Sequence, residues 1–107
     1  MAKLPPFIVG FAPETLDHLD AIDRKYHRLI EKTIDEQLSY TPDQETRNRK
    51  PMEQPAPFAT AWELRFGPAN RFRVFYDVDT QERHAEVLAI GVKEGNQLFI
   101  GGEELQP

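Results

Sequence analysis

No cysteine occurs among the 107 residues, which excludes a disulfide framework and any thiolate metal site. The three histidines, His18, His27 and His84, lack the spacing of a zinc site, so metal chemistry is set aside. Long hydrophobic runs are also missing. The apolar stretch from Phe7 to Val9 is too short for a signal sequence or a membrane span, and the expected compartment is the cytosol, with no membrane partner. Glycine is sparse, and Gly91, Gly95, Gly101 and Gly102 do not have the spacing of a phosphate-binding loop; no internal repeat or low-complexity tract is present. Positive charge is in deficit too. Thirteen lysines and arginines stand against 18 aspartates and glutamates, a formal charge of −5 that argues against a general nucleic-acid or membrane binder.

What is present is an uneven distribution of that charge. Segment 47–73 holds six cations (Arg47, Arg49, Lys50, Arg65, Arg71, Arg73) against two anions, whereas segment 77–107 holds two cations against seven anions. The molecule is therefore expected to have a positive and a negative pole.

Periodicity sets the expected elements. Phe7 to Phe11, bounded by Pro5, Pro6 and Pro13, reads as a first strand. From Glu14 onward Leu16, Leu19, Ile22, Tyr26, Leu29, Ile30, Thr33, Ile34 and Leu38 recur at steps of three and four, the stripe of an amphipathic helix. Asp20 and Asp23 are each suited to cap a second helix, so the stretch is expected to break there into two. Residues 41–60 carry four prolines and no periodicity, and read as a long loop holding the basic cluster Arg47-Asn48-Arg49-Lys50. Strands are expected at 61–66, 71–78 and 85–92, with turns at Gly67-Pro68-Ala69-Asn70 and at 79–83, and a short acidic tail over 101–107 loosened by Gly101-Gly102. The order predicts one α+β domain over 1–107. It has two layers: an N-terminal strand, two helices, then a three-strand antiparallel meander.

Alternation over 62–77 places Trp62, Leu64, Val74 and Tyr76 on one sheet face and Glu63, Arg65 and Arg73 on the other. With Leu88, Ile90 and Val92 toward the helices, Val87, Ala89, Gly91 and Lys93 join the cationic face, where Ala89 and Gly91 predict a shallow floor. Two arginines brought close repel unless a carboxylate or phosphate lies between them. Two registers are open: Phe66 opposite Phe72 sets Arg65 against Arg73, while a slip of two sets Glu63 against Arg73 and leaves an ordinary cross-strand ion pair.

Trp62-Glu63-Leu64-Arg65, then Phe72-Arg73-Val74-Phe75-Tyr76-Asp77-Val78, then Ile90-Gly91-Val92-Lys93 and the Gly101-Gly102-Glu103-Glu104 ending resemble the RelE/ParE superfamily of bacterial type II toxins. The resemblance covers roughly residues 7–104 and includes Arg47-Asn48-Arg49-Lys50-Pro51. It implies a RelE/ParE-like fold and a compact toxin paired with a cognate antitoxin encoded beside it. In the RelE branch the toxin acts in the ribosomal A site and cleaves mRNA without a metal or other cofactor. Position by position, Arg73 matches the family's transition-state arginine, Arg65 and Glu63 match charged positions on the preceding strand, and Lys93 matches a basic residue after the last strand. Phe99 stands where RelE-type nucleases tend to have a proton-transferring tyrosine.

Three functions follow as expectations: a ribosome-dependent mRNA endoribonuclease, a non-enzymatic ParE-like inhibitor of DNA gyrase, which tolerates Phe99, or a member that only binds its antitoxin. The acidic composition suits the last two better. In the nuclease reading Arg73 and Arg65 stabilise the phosphorane, because guanidinium stays charged and offers a planar donor fork, and Glu63 is the candidate general base. Lys93 holds phosphate, Arg47, Arg49 and Lys50 contact backbone phosphate, and Phe75 and Phe99 offer a stacking surface or a seat for a partner's apolar anchor. The plainer alternatives are a solvated strand face with an ion pair for the arginines, a solvated loop for 47–50, and core positions for Trp62, Phe72 and Tyr76.

Overall fold

Trp62, Leu64 and Phe66, then Phe72, Val74 and Tyr76, alternate with their neighbours along strands that lie in a single sheet, with two short helices covering the face to which those residues point. The computed structural model describes residues 4–52 and 61–105. In chain order the elements are β1 (Ile8–Phe11), α1 (Thr15–Asp20), α2 (His27–Leu38), β2 (Arg49–Pro51), β3 (Trp62–Phe66), β4 (Phe72–Asp79), β5 (His84–Glu94), β6 (Gln97–Ile100) and β7 (Glu103–Leu105). Strands β2 to β7 are neighbours in sequence order and antiparallel; β1 lies parallel to the first half of β5. The result is the expected α+β architecture, a helical layer on one sheet. Among the described residues no helix is long and apolar enough to cross a membrane.

The helical stretch does break, at a single 3₁₀ turn over Arg24–Tyr26 whose Asp23 side chain accepts from the Lys25 amide at 3.0 Å. The break resets the phase of the stripe. Helix α2 buries Ile30, Ile34 and Leu38, one turn apart, each worth about 1.5–3 kcal/mol on leaving water. Leu16 and Leu29, assigned to the same stripe, are 71% and 40% exposed and do not belong to the core.

Three further expectations need correction. Part of the 41–60 loop is strand: β2 pairs Arg49 with Leu64, Lys50 with Glu63 and Pro51 with Trp62, while 53–60 lie outside the described residues. The expected loose tail is mostly ordered. Gly101 and Gly102, at φ 62° and 81°, form the tight turn between β6 and β7, a hairpin concealed by strands of only four and three residues. Finally, the register between β4 and β5 shifts between Phe75, opposite Ala89, and Tyr76, opposite Val87, so Leu88 is an extra, bulged residue. Before the bulge the parity is inverted. Ala85 and Val87 are the residues buried under the helices, and Leu88 is not part of that core.

Candidate functional site

Of the two registers, the structure adopts the one that opposes like charges. Phe66 pairs with Phe72, Arg65 with Arg73 and Trp62 with Tyr76, whose rings stack with centroids 6.3 Å apart. The connecting turn fixes this register. Gly67 takes φ 83°, Ala69 and Asn70 both take left-handed backbone at φ 55° and 52°, and the Asn70 amide closes on the Gly67 carbonyl at 2.9 Å. Arg71 is kept off the cationic face; its guanidinium lies over the Tyr26 and Phe72 rings at 5.7 and 5.9 Å.

The anion between the arginines is Glu63, two residues back on the same strand and so on the same face. Its Oε1 accepts from Arg65 Nε at 2.6 Å and its Oε2 from Arg73 Nη1 at 3.4 Å. Arg73 Nε donates to the Asn70 carbonyl at 3.0 Å. Glu63 and Arg73 are buried, while the Arg65 side chain is 35% exposed. Burial lowers the pKa of Arg73 from its ordinary value, the Glu63 carboxylate opposes that shift, and the Arg65 charge adds to it. Guanidinium basicity keeps the residue charged at neutral pH. One carboxylate thus serves two cations, and the cluster retains a net positive charge facing away from the helices.

Lys93 is on the same face, two residues along β5 from Gly91, the partner of Arg73; diagonal neighbours of this kind lie about 7–8 Å apart at Cα. It is half-buried opposite Leu98, and among the described residues its ammonium has no ion-pair or hydrogen-bond partner. The floor is less open than Ala89 and Gly91 suggest. A Cβ on Gly91 would lie 2.8 Å from the Phe99 carbonyl oxygen and 2.9 Å from Ile100 Cγ1, so β6 occupies that space and Gly91 is required for its close approach.

The remaining candidates do not converge on this cluster. Arg49 faces the helices and is buried, its guanidinium donating to the Gln37 carbonyl at 2.6 Å, Gln37 Oε1 at 3.0 Å, the Gln44 carbonyl at 3.1 Å and Thr41 Oγ1 at 3.0 Å. It is unavailable to phosphate, because β2 parity turns it inward. Lys50 does reach the cationic side, opposite Glu63 on the edge strand, and is exposed, as is Arg47 before it. Phe75 has the parity of the arginines yet is only 1% exposed, which rules it out as an open stacking platform. Phe99 pairs with Val92 and so lies on the helix side, lining a cavity of about 210 Å³ with His18, Ile22 and Gly101. Sequence reading missed the strand that sets its parity. It also missed two asparagines. Asn48 is tied to Arg65 through its carbonyl and its Nδ2, at 2.7 and 2.9 Å, and Asn70 presents its carbonyl to Arg73. The only sequence signal for either is the tolerance of asparagine for turn backbone at position 70.

A chain of the toxin–antitoxin complex RelBE2 from Mycobacterium tuberculosis superposes on this structure with a TM-score of 0.67, covering 82% of this chain and 99% of that one at 19% sequence identity. No protein-family model matches the sequence, and no curated protein matches it. The likeness is one of architecture: this chain shares its fold with that chain of the complex.

Proposed function

We propose that this protein is the toxin of a type II toxin–antitoxin pair and that Glu63, Arg65 and Arg73 form a metal-independent centre for cleaving ribosome-bound mRNA. The observation that carries the reading is the carboxylate held between two opposed guanidiniums on the sheet face opposite the helices in a RelE-type fold. In such a centre Glu63 takes the proton of a 2′-hydroxyl, the freed oxygen attacks the adjacent phosphorus, and the 5′-oxygen leaves with a proton from solvent, giving a 2′,3′-cyclic phosphate. Negative charge builds on the non-bridging oxygens as Glu63 is neutralised, so Arg65 and Arg73 pass from the carboxylate to the phosphorane. Each such donor is worth about 10² to 10³ in rate and a positioned base about 10² to 10⁴. Lys93 anchors phosphate beside them. Induced expression should arrest translation and leave cuts within ribosome-bound codons, and Arg73→Ala should abolish both; cuts that persist in that variant sink the nuclease reading.

A non-enzymatic reading has its own support in the formal charge of −5 and in Phe99, which has no hydroxyl and lies across the sheet from the arginines. As a ParE-like inhibitor the protein would block supercoiling by purified DNA gyrase while cellular mRNA stayed whole. A member reduced to antitoxin binding would be harmless when overproduced.

A further inference from the structure

Both aromatic residues expected to seat a base are withdrawn from the cationic cluster, Phe75 by burial and Phe99 by parity. Three aliphatic side chains stand beside it instead. Residues directly opposite one another in an antiparallel pair share a face, so two rows run across the strands: Arg65, Arg73, Gly91, Ile100 and Glu103 in one, Lys93, Leu98 and Leu105 in the other. Gly91 leaves its place in the first row empty, and its neighbours lean into it. A Cβ there would lie 2.9 Å from Ile100 Cγ1 and 3.2 Å from Leu98 Cδ1, so both side chains reach the position directly across from Arg73. Leu105 continues the apolar surface on the far side of Leu98, and all three residues are half-buried, with part of each side chain at the surface.

An aliphatic shelf one strand spacing, about 4.8 Å, from a cationic row fits a ligand that is anionic at one end and flat and apolar at the other. A nucleotide has that form, since its base offers two apolar faces and its ribose ties them to phosphate. Three residues are too few for a stable protein interface, which takes about 20–30 residues a side. We propose that Leu98, Ile100 and Leu105 form the seat of a nucleobase adjoining the phosphate held at Arg73 and Lys93. The seat touches the face of the base and leaves its hydrogen-bonding edges unread, so purines are held more tightly than pyrimidines through their larger area. The ligand rests on the nuclease reading above; the shelf and its place beside Arg73 do not.

The test is calorimetric titration and methyl NMR of the purified protein with inorganic phosphate, adenosine 3′-monophosphate and adenosine 5′-monophosphate, the last two telling apart the bases on either side of the phosphate. At least one nucleotide should bind about tenfold tighter than phosphate or better, and it should shift the Leu98, Ile100 and Leu105 methyls, which phosphate leaves in place. Leu105→Ser should bring that nucleotide to within about twofold of phosphate, while Leu105→Phe, which offers the base a ring, should tighten it about threefold or more. Both variants should keep a cooperative thermal transition. If phosphate binds and neither nucleotide binds more tightly, or a nucleotide binds without moving these methyls, or neither Leu105 substitution changes its affinity, the seat is overturned and the arginine centre stands. Loss of phosphate binding in both Leu105 variants would assign the shelf to the fold and also overturn the seat. A parent protein that binds neither phosphate nor nucleotide overturns the arginine centre as well.

Discussion

On the helix-covered face of the sheet, Arg49 is surrounded by neutral acceptors from the end of α2 and the loop after it, and Tyr76 on the same face gives its hydroxyl to the Pro42 carbonyl at 2.7 Å. On the face opposite the helices, Arg73 is almost equally buried but shares a single charged acceptor, Glu63, with Arg65. Both arginines are strand residues one sheet position from the core. The difference lies in what surrounds them: the Gln37 and Gln44 carbonyls, the Gln37 side chain and the Thr41 hydroxyl occupy all three nitrogens of one guanidinium with neutral acceptors, whereas a carboxylate divided between two leaves positive charge in excess. The first arrangement fastens the fold, and the second holds a charge that an incoming anion can use.

The largest expected effect breaks the fastening side. Arg49→Ala removes four hydrogen bonds and leaves the α2 C-terminus and the loop without their donor, so stability should fall by about 3 kcal/mol in denaturant titration. Phosphate affinity of the opposite face should not change. By contrast Arg47→Ala and Lys50→Ala, at exposed positions, should stay within about 0.5 kcal/mol of the parent. If Arg47→Ala proves as costly as Arg49→Ala, the contrast drawn here between an inward and an outward basic residue fails.

Glu63→Gln sharpens the other side. The variant loses the charge that balances two guanidiniums while keeping most of the shape, and a loss of about 2 kcal/mol is expected, short of the full cost of breaking a buried pair because Arg65 is partly solvated. Added inorganic phosphate should recover more stability in Glu63→Gln than in the parent, since the site then lacks its own anion. Equal recovery in both proteins would mean that the carboxylate and the phosphate do not compete for the same donors.

How far these two faces could be read from sequence depends on the signal each left. The meander was legible because Trp62 to Phe66 alternates strictly and Phe72 to Val78 does so apart from Phe75, and the split helix was legible because Asp20 and Asp23 are each suited to cap a second helix. The same parity placed Glu63, Arg65 and Arg73 on one face, but it left two registers open, and the pairing of Arg65 with Arg73 is set by the Gly67–Asn70 turn. Arg49 and Phe99 were misplaced for one reason: each sits on a strand, β2 or β6, too short or too polar to show alternation, so its facing could not be assigned. The bulge at Leu88 had no sequence signal at all, since Val87-Leu88 and Ala89-Ile90 alternate equally well in either phase. Burial of Phe75 was likewise invisible, because parity reports which face a side chain joins and not what covers it.

A smaller effect separates the faces by pH. Burial raises the Tyr76 phenol above its ordinary pKa, with Arg49 opposing and Asp43 adding to the shift. The folded state therefore holds its proton more tightly than the unfolded chain. This contribution is fully present below about pH 10 and is lost as pH rises through the folded-state value. Tyr76→Phe should cost about 1 kcal/mol at neutral pH through the lost bond to Pro42 and should flatten the alkaline limb of the stability profile. An unchanged alkaline limb would place the titrating group elsewhere.

The smallest expected effect asks whether the turn that aligns the two arginines stores strain for that purpose. Ala69 sits at φ 55°, ψ 26°, a left-handed conformation that costs a residue with a Cβ roughly 1–2 kcal/mol. Glycine removes that cost but gives up roughly 0.5–1 kcal/mol of unfolded-state entropy, so Ala69→Gly should stabilise the protein by about 0.5 kcal/mol. The next residue holds its carbonyl 3.0 Å from Arg73 Nε, so a freer residue 69 also loosens the acceptor that aims this guanidinium. If the strain serves the site, the variant will be more stable and bind phosphate more weakly. If it gains stability with phosphate affinity intact, the left-handed pair merely closes a hairpin, and the alignment of Arg73 comes from Glu63 and the strand register instead.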